Sequence, residues 1–247
     1  MADPRDELQQ LVSEANRIVA FTGAGISAES GIPTYRGDGG VWNTYDPARY
    51  AEISNFLADP GYYWSFFREV RYPALRDAEP NPAHHALARL EEQGRLSAVI
   101  TQNIDGLHQE AGSKRVLELH GNTRRIACMT CNEVYTLDEV HDRLDEVFPP
   151  DCPKCNGVLK PQVVFFGESL PMQVLEDAVR ETRNCDLFIV VGSSLVVQPA
   201  AALPPMAVQE GAKLVIINRD PTPQDQLAHL AFHENASDVL GTVAPSP

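Results

Sequence analysis

The sequence predicts an α/β fold, a doubly wound parallel sheet with an inserted small zinc-binding module, and three features carry that prediction. Short apolar runs recur without period-two alternation, the pattern of strands buried on both faces. Helical patterns with their own start and stop signals separate those runs, which implies parallel strands joined by helical crossovers. Two Cys-x2-Cys pairs twenty residues apart interrupt the alternation.

From the N-terminus, Asp3-Pro4 opens a helix carrying Leu8, Leu11, Val12 and Ala15, with proline at the first helical position. Ile18-Val19-Ala20-Phe21 forms the first strand. Residues 37 to 80 hold both tryptophans and most of the tyrosines, with Gly and Pro turns and no strand-like run, so they read as loop plus short helices. Ala83, Ala86, Leu87 and Leu90, between Asn81-Pro82 and Gly94, make a second helix. Ala98-Val99-Ile100 is the next strand, and a short one ends at His120. Residues 124 to 160 carry both cysteine pairs as one inserted unit. Val163-Val164-Phe165-Phe166, Leu187 to Val191 and Leu214 to Ile217 are the remaining strands. The expected division is a large nucleotide-binding domain of residues 1–36, 81–123 and 161–247, with 37–80 and 124–160 as the small module. Ligands of such sheets bind outside the carboxyl ends of the strands.

Composition narrows the function. The 247 residues are 43% hydrophobic and 22% charged, which excludes disordered, collagenous and coiled-coil classes. A net charge of -14 repels phosphate backbones and anionic membranes, so neither nucleic acid nor membrane is an expected partner. The opening Met-Ala-Asp-Pro lacks a basic start and apolar run, and no apolar stretch approaches the ~20 residues of a membrane span, which points to a reducing cytoplasm. There, Cys128, Cys131, Cys152 and Cys155 read as zinc ligands, against the alternative of two disulfides. Four thiolates leave no open position for water, so the zinc is structural. A nucleic-acid-binding zinc ribbon is disfavoured, because residues 124 to 160 hold five basic against seven acidic side chains. Cys185 reads as a buried small hydrophobe.

Three strand-end motifs carry the chemistry. Gly23-Ala24-Gly25-Ile26-Ser27-Ala28 is a G-x-G-x-x-A turn expected to open a helix whose free N–H groups favour a phosphate. A dehydrogenase fingerprint would add a strand ending in an acidic residue about 20 positions on; the stretch Gly31 to Trp42 cannot be that strand, so a dinucleotide must be held differently. Thr101 to His108, with Gln102, Asn103 and Asp105, suits a pocket for an amide or a ribose hydroxyl. His120, at a strand end before Gly121, is a candidate general base. The other six histidines, His84 and His108 among them, lack ligand spacing and read as structural or exposed.

Together these motifs resemble the sirtuin family of NAD-dependent protein lysine deacylases over nearly the whole chain. The resemblance rests on Gly23 to Ser27, Gly31 to Arg36, Thr101 to His108, His120-Gly121, the cysteine pairs, Val164 to Glu168 and Gly192 to Leu195. It implies a Rossmann-like sheet binding NAD in an inverted orientation, which accounts for the missing acidic strand. By position, Gly23, Ala24 and Gly25 would approach the pyrophosphate. Tyr35, where the family usually has Phe, and Arg36 would close over the nicotinamide ribose; Ser27, Thr34 and Trp42 also fall among the cofactor residues. Gln102, Asn103, Ile104 and Asp105 would form the nicotinamide and ribose pocket, Gly192, Ser193 and Ser194 would meet phosphate and ribose, and Asn218 and Ala236 the adenosine.

The implied catalytic residues are His120 and Asn103. The acyl oxygen would attack the ribose and expel nicotinamide, and His120 would then activate a ribose hydroxyl, giving free lysine and 2′-O-acyl-ADP-ribose. Acyl-lysine proteins are the implied partners, clamped as an added strand by Val164, Phe165, Phe166, Gly167, Glu168 and Val196. Relatives that remove succinyl or malonyl groups carry a Tyr-x-x-Arg pair where this chain has Trp64 and Phe67. Two apolar residues there predict deacetylation, or removal of apolar acyl groups, over desuccinylation. A hydride-transferring dehydrogenase, a mono-ADP-ribosyltransferase and a non-catalytic acyl-lysine binding module are the alternatives.

Overall fold

The computed structural model describes residues 3–37 and 39–243. Among the described residues nine strands form two sheets: β1 Ile18–Thr22, β2 Leu96–Thr101, β3 Val116–Glu118, β4 Gly121–Cys128, β5 Val134–Thr136, β6 Leu159–Val163, β7 Leu187–Val191, β8 Lys213–Ile217 and β9 Leu230–Phe232. The large sheet is parallel throughout, in the order β3-β2-β1-β7-β8-β9. Its order reverses at β1, whose two neighbours are β2 and β7, so the loops after β1 and β7 part there and leave a crevice.

The apolar runs bury both faces. Ile18, Ala20, Val99, Ile189, Val191, Val215 and Ile217 meet the helices Pro4–Glu14, Pro82–Glu92 and Ala236–Val243. The alternating set Val19, Phe21, Ile100, Phe188, Val190, Leu214 and Ile216 meets the helices Met172–Arg183 and Leu203–Gln209. Period-two spacing therefore exists in these strands, but both sets are apolar.

The small sheet is antiparallel, in the order β5-β4-β6. Its core joins Ile126, Cys128, Cys152 and Leu159 to Phe56, Tyr63, Trp64 and Phe67 from the helical segment. Two stretches separated in sequence thus share one interior. The Trp64 indole donates to the Leu159 carbonyl at 3.2 Å across this contact.

Two expectations change. Val163–Phe166 is not a strand of the large sheet: Val163 ends β6, and Phe166 pairs by its backbone with Ala51 and Ile53. The glycine turn opens seven residues of 3₁₀ helix, Ala24–Ser30, because the Gly25 N–H bonds outward to the Gly192 carbonyl at 2.8 Å. β9 leaves no pattern in the sequence, because its three residues are too few for periodicity to register.

Candidate active site

A cleft of about 780 Å³ opens at the carboxyl ends of the central strands. Gly23 and Gly25, after β1, press against Gly192, after β7. A Cβ on Gly25 would lie 2.6 Å from the Gly192 Cα, and one on Gly192, at φ +64°, would lie 2.2 Å from the Ile26 nitrogen. Only glycine permits two main chains to meet so closely and leave a bare backbone wall. A pyrophosphate needs such a surface, so the residues present fit a dinucleotide.

His120 follows β3 and lines the same cleft. Its Nδ1 lies 3.0 Å from the Gln102 carbonyl, which can only accept, so Nδ1 carries the proton and Nε2 keeps its lone pair. Burial lowers its pKa below the ordinary histidine value, with the bond to Gln102 opposing the shift. The next residue must be glycine: Gly121 sits at φ +74°, and a Cβ there would lie 2.0 Å from the Gln162 carbonyl oxygen.

Below the cleft a hydrogen-bonded chain orders the pocket. Asn103 Nδ2 donates to Ser27 Oγ at 3.0 Å, Ser27 Oγ donates to Asp105 Oδ2 at 2.8 Å, and Asp105 Oδ1 accepts from the Leu107 N–H at 2.9 Å. Burial raises the Asp105 pKa against these donors. Gln102 Nε2 donates to Ser193 Oγ at 2.8 Å, tying the β2 loop to the β7 loop.

Two histidines read as structural stand beneath this chain. His108 Nε2 lies 2.9 Å from Thr22 Oγ1, His84 Nε2 lies 3.4 Å from Ser27 Oγ, and the two rings meet edge to face at 4.9 Å. Burial lowers the His84 pKa to about 4 and the His108 pKa well below its usual value. The unfolded chain therefore binds more protons below pH 6.5, so stability present above that pH is lost as the pH falls toward 4. His84 alone should cost about 3 kcal/mol over this window. Denaturant titrations between pH 8 and 4 check this, and a flat profile would contradict it.

The four cysteine sulfurs lie within 4.8 Å of one another, with Cys128 and Cys155 at 3.5 Å and Cys131 and Cys152 at 3.7 Å. Zn–S bonds of about 2.3 Å in a tetrahedron place sulfurs about 3.8 Å apart, so the set fits zinc. Each pair closes a turn onto an asparagine with positive φ, Asn132 at 60° and Asn156 at 57°. Asparagine tolerates that conformation better than most residues.

Nearly all the sequence-derived cofactor residues meet in the one cleft: Gly23, Ala24, Gly25, Thr34, Tyr35, Arg36, Trp42, Gln102, Asn103, Ile104, His120, Gly192, Ser193, Ser194, Asn218 and Ala236. Ser27 and Asp105 line a smaller cavity adjoining it. Val164, Phe165, Phe166, Gly167 and Glu168 form the opposite rim, whereas the Val196 side chain is half exposed and Val197 lines the cleft in its place.

Trp64 and Phe67, expected at the acyl end, do not reach it. Both are wholly buried in the small-module core, because the helix Pro60–Phe66 turns that face toward the zinc sheet. Beside Gly37 and Trp42, the residues of the 37–80 segment that line the cleft are Ala51 and Arg71. Arg71 is not singled out by the sequence, which shows residues 37 to 80 only as loop plus short helices; it closes a five-residue π-turn, Phe67–Arg71.

A doubly wound sheet with a glycine-walled crevice at its switch point, a histidine facing that crevice and a four-thiolate module beside it define a dinucleotide-binding α/β protein with a structural metal site. The chain belongs to the Sir2 family, whose profile matches residues 23–199. It is 47% identical over 241 residues to the NAD-dependent protein deacylase 2 of Archaeoglobus fulgidus, covering 97% of this chain and 94% of that protein. A solved Sir2 variant with a deacetylated p53 peptide and 3′-O-acetyl ADP-ribose superposes with a TM-score of 0.93, at 43% identity and 96% coverage of both chains. A Sir2 complex with a p53 peptide and NAD superposes at 0.89, with 43% identity and coverage of 96% and 95%. Among the described residues no helix is long and apolar enough to cross a membrane.

Proposed function

We propose that the protein is an NAD-dependent protein lysine deacylase, a deacetylase in its simplest reaction, that passes the acyl group of acyl-lysine to ADP-ribose and releases nicotinamide. The observation that carries this is His120: a half-buried imidazole with Nδ1–H fixed on the Gln102 carbonyl and Nε2 free, in the same cleft as the bare Gly23–Gly25–Gly192 wall. NAD, when bound, supplies an electrophilic ribose carbon and a leaving nicotinamide.

The chain's own residues position and activate. The glycine loops, with Ser193 and Ser194, receive phosphate and ribose. Asn103, held by Ser27, and Asp105, held by Ser27 and the Leu107 N–H, shape the nicotinamide and ribose side. Thr34, Tyr35, Arg36 and Trp42 line the same cleft, with Tyr35 stacked on Trp42 at 5.2 Å. His120 Nε2 takes the proton of a ribose hydroxyl, as an imidazole with pKa below ambient pH can do.

An acyl-lysine protein segment is held along Gly167 and Val196. The Phe166 N–H and C=O are already engaged by Ala51 and Ile53, so pairing falls to the groups on either side of it. Residues 1–36, 81–123 and 161–247 serve as the nucleotide-binding domain, and 37–80 with 124–160 as the module that carries the structural zinc on Cys128, Cys131, Cys152 and Cys155. The shared core of Phe56, Trp64, Ile126 and Leu159 supports that division.

The test is nicotinamide release from NAD with and without an acetyl-lysine peptide. Release that depends on the acylated peptide, with 2′-O-acetyl-ADP-ribose and free lysine in equal amounts, is expected. A dehydrogenase would release none, and an ADP-ribosyltransferase would leave the acetyl-lysine intact.

A further inference from the structure

The helix Pro82–Glu92 starts on a hydrogen-bonded box. The Asn81 side chain accepts from the Ala83 and His84 N–H groups, and the His84 ring accepts the Asn81 N–H at Nδ1, 3.3 Å away. Burial, which lowers the His84 pKa to about 4, keeps the ring neutral at pH 7. A nitrogen that accepts carries no proton, so the neutral ring bears its hydrogen on Nε2. The same box reaches across to the glycine turn Ala24–Ser30. Asn81 Nδ2 donates to the Ile26 carbonyl at 2.7 Å and to Ser30 Oγ at 3.0 Å, and His84 Nε2 lies 3.4 Å from Ser27 Oγ. Asn81, His84 and Ser27 are all buried.

Donor directions then follow one from the next. The Ser27 hydroxyl has one hydrogen and two lone pairs. The His84 Nε2–H and an Asn103 N–H occupy the lone pairs, so the hydrogen goes to Asp105 Oδ2 at 2.8 Å. With the opposite His84 tautomer, Ser27 would need a hydrogen for His84 and another for Asp105. Because Ser27 accepts on its Asn103 side, the Asn103 amide turns Nδ2 toward it at 3.0 Å and leaves Oδ1 for the cleft that Asn103 lines. A helix cap beneath the site thereby sets which end of the amide a ligand meets.

We propose that His84 is a positioning residue of the nicotinamide and ribose pocket: its donor pins the Ser27 hydroxyl, and through it the Asp105 carboxylate and the orientation of the Asn103 amide. The proposal rests on the deacylase reading above and adds to it a residue with no exposed surface. His84 serves the step that breaks the bond between nicotinamide and ribose, ahead of the step that needs His120.

Labelled nicotinamide entering NAD in the presence of an acetyl-lysine peptide reports that first step alone and tests the proposal. His84→Asn keeps an acceptor near the Nδ1 position for the helix cap and loses the donor to Ser27; His84→Gln keeps a donor near Nε2 and loses the cap acceptor. Per folded enzyme, His84→Asn should lower kcat/KM for NAD in this exchange about tenfold or more with KM for the peptide unchanged, and His84→Gln should stay within about threefold of wild type. A residue that only caps the helix would rank the two variants the other way, and that order overturns the proposal. Equal losses in both, no loss in His84→Asn, or a KM for the peptide that rises with that for NAD also overturn it. In Ser27→Ala the donor has no hydroxyl to hold, so adding His84→Asn should cost less than about twofold; a further tenfold loss overturns the proposal. If His84→Asn fails to fold, His84→Gln decides, and exchange more than about tenfold below wild type overturns it. A wild type that incorporates no label with the peptide present defeats the deacylase reading, and the proposal with it.

Discussion

His120→Ala is expected to lower acyl transfer by about 10²–10⁴-fold, the range removed with a positioned general base. Among the described residues the side chain bonds to the protein through Nδ1 to the Gln102 carbonyl and is the one imidazole lining the cleft, so the substitution should leave the cleft standing and remove that imidazole. Deacylated peptide measured by mass spectrometry checks this, and turnover within a few-fold of wild type would refute the assignment. The pH profile adds a second reading. Because burial lowers the His120 pKa, the base is already deprotonated at pH 7, and the acid limb of kcat/KM should fall below pH 6.5. An acid limb centred above pH 7 would point to another group.

Removing the zinc should unfold the small module and abolish activity while the large sheet persists. Metal binding at a four-thiolate site contributes on the order of 10 kcal/mol to the structure it closes. The small-module core contains Cys128 and Cys152, whereas the two cores of the large sheet contain none of the four ligands. Both tryptophans, Trp42 and Trp64, lie in the 37–80 segment, and Trp64 is buried against β6. Tryptophan emission therefore reports the 37–80 segment, with Trp64 in the module core and Trp42 on the cleft wall. After chelation, or in Cys128→Ser, the emission should shift to the red, with most far-ultraviolet circular dichroism retained and deacylation lost. Unshifted emission and full activity in metal-free protein would contradict the structural role.

The order of elements was legible because each signal is local. Buried strands declare themselves as apolar runs, Asp3-Pro4 and Asn81-Pro82 mark helix starts, and the cysteine spacing marks a metal turn. The cleft residues were equally legible where a backbone demand fixes the residue type, as at Gly25, Gly121 and Gly192, whose neighbours leave no room for a Cβ. Val163–Phe166 misled because an apolar run records burial and not the sheet that buries it. His84 and His108 are buried, and nothing in their spacing shows that they meet Ser27 and Thr22.

The acyl end of the cleft marks the boundary between the two sources. Sequence alone determined the sheet, the thiolate site, the glycine wall and the histidine, because a short stretch of chain with its own stereochemistry dictates each. Which face of the Pro60–Arg71 segment meets the cleft was decided only by tertiary structure. Tyr63, Trp64, Phe66 and Phe67 are all aromatic and all buried, so no amphipathic stripe orients the helix. Packing of Trp64 against Leu159 and the π-turn that follows set its rotation, and with it the presence of Arg71, in place of Trp64 and Phe67, on the cleft wall.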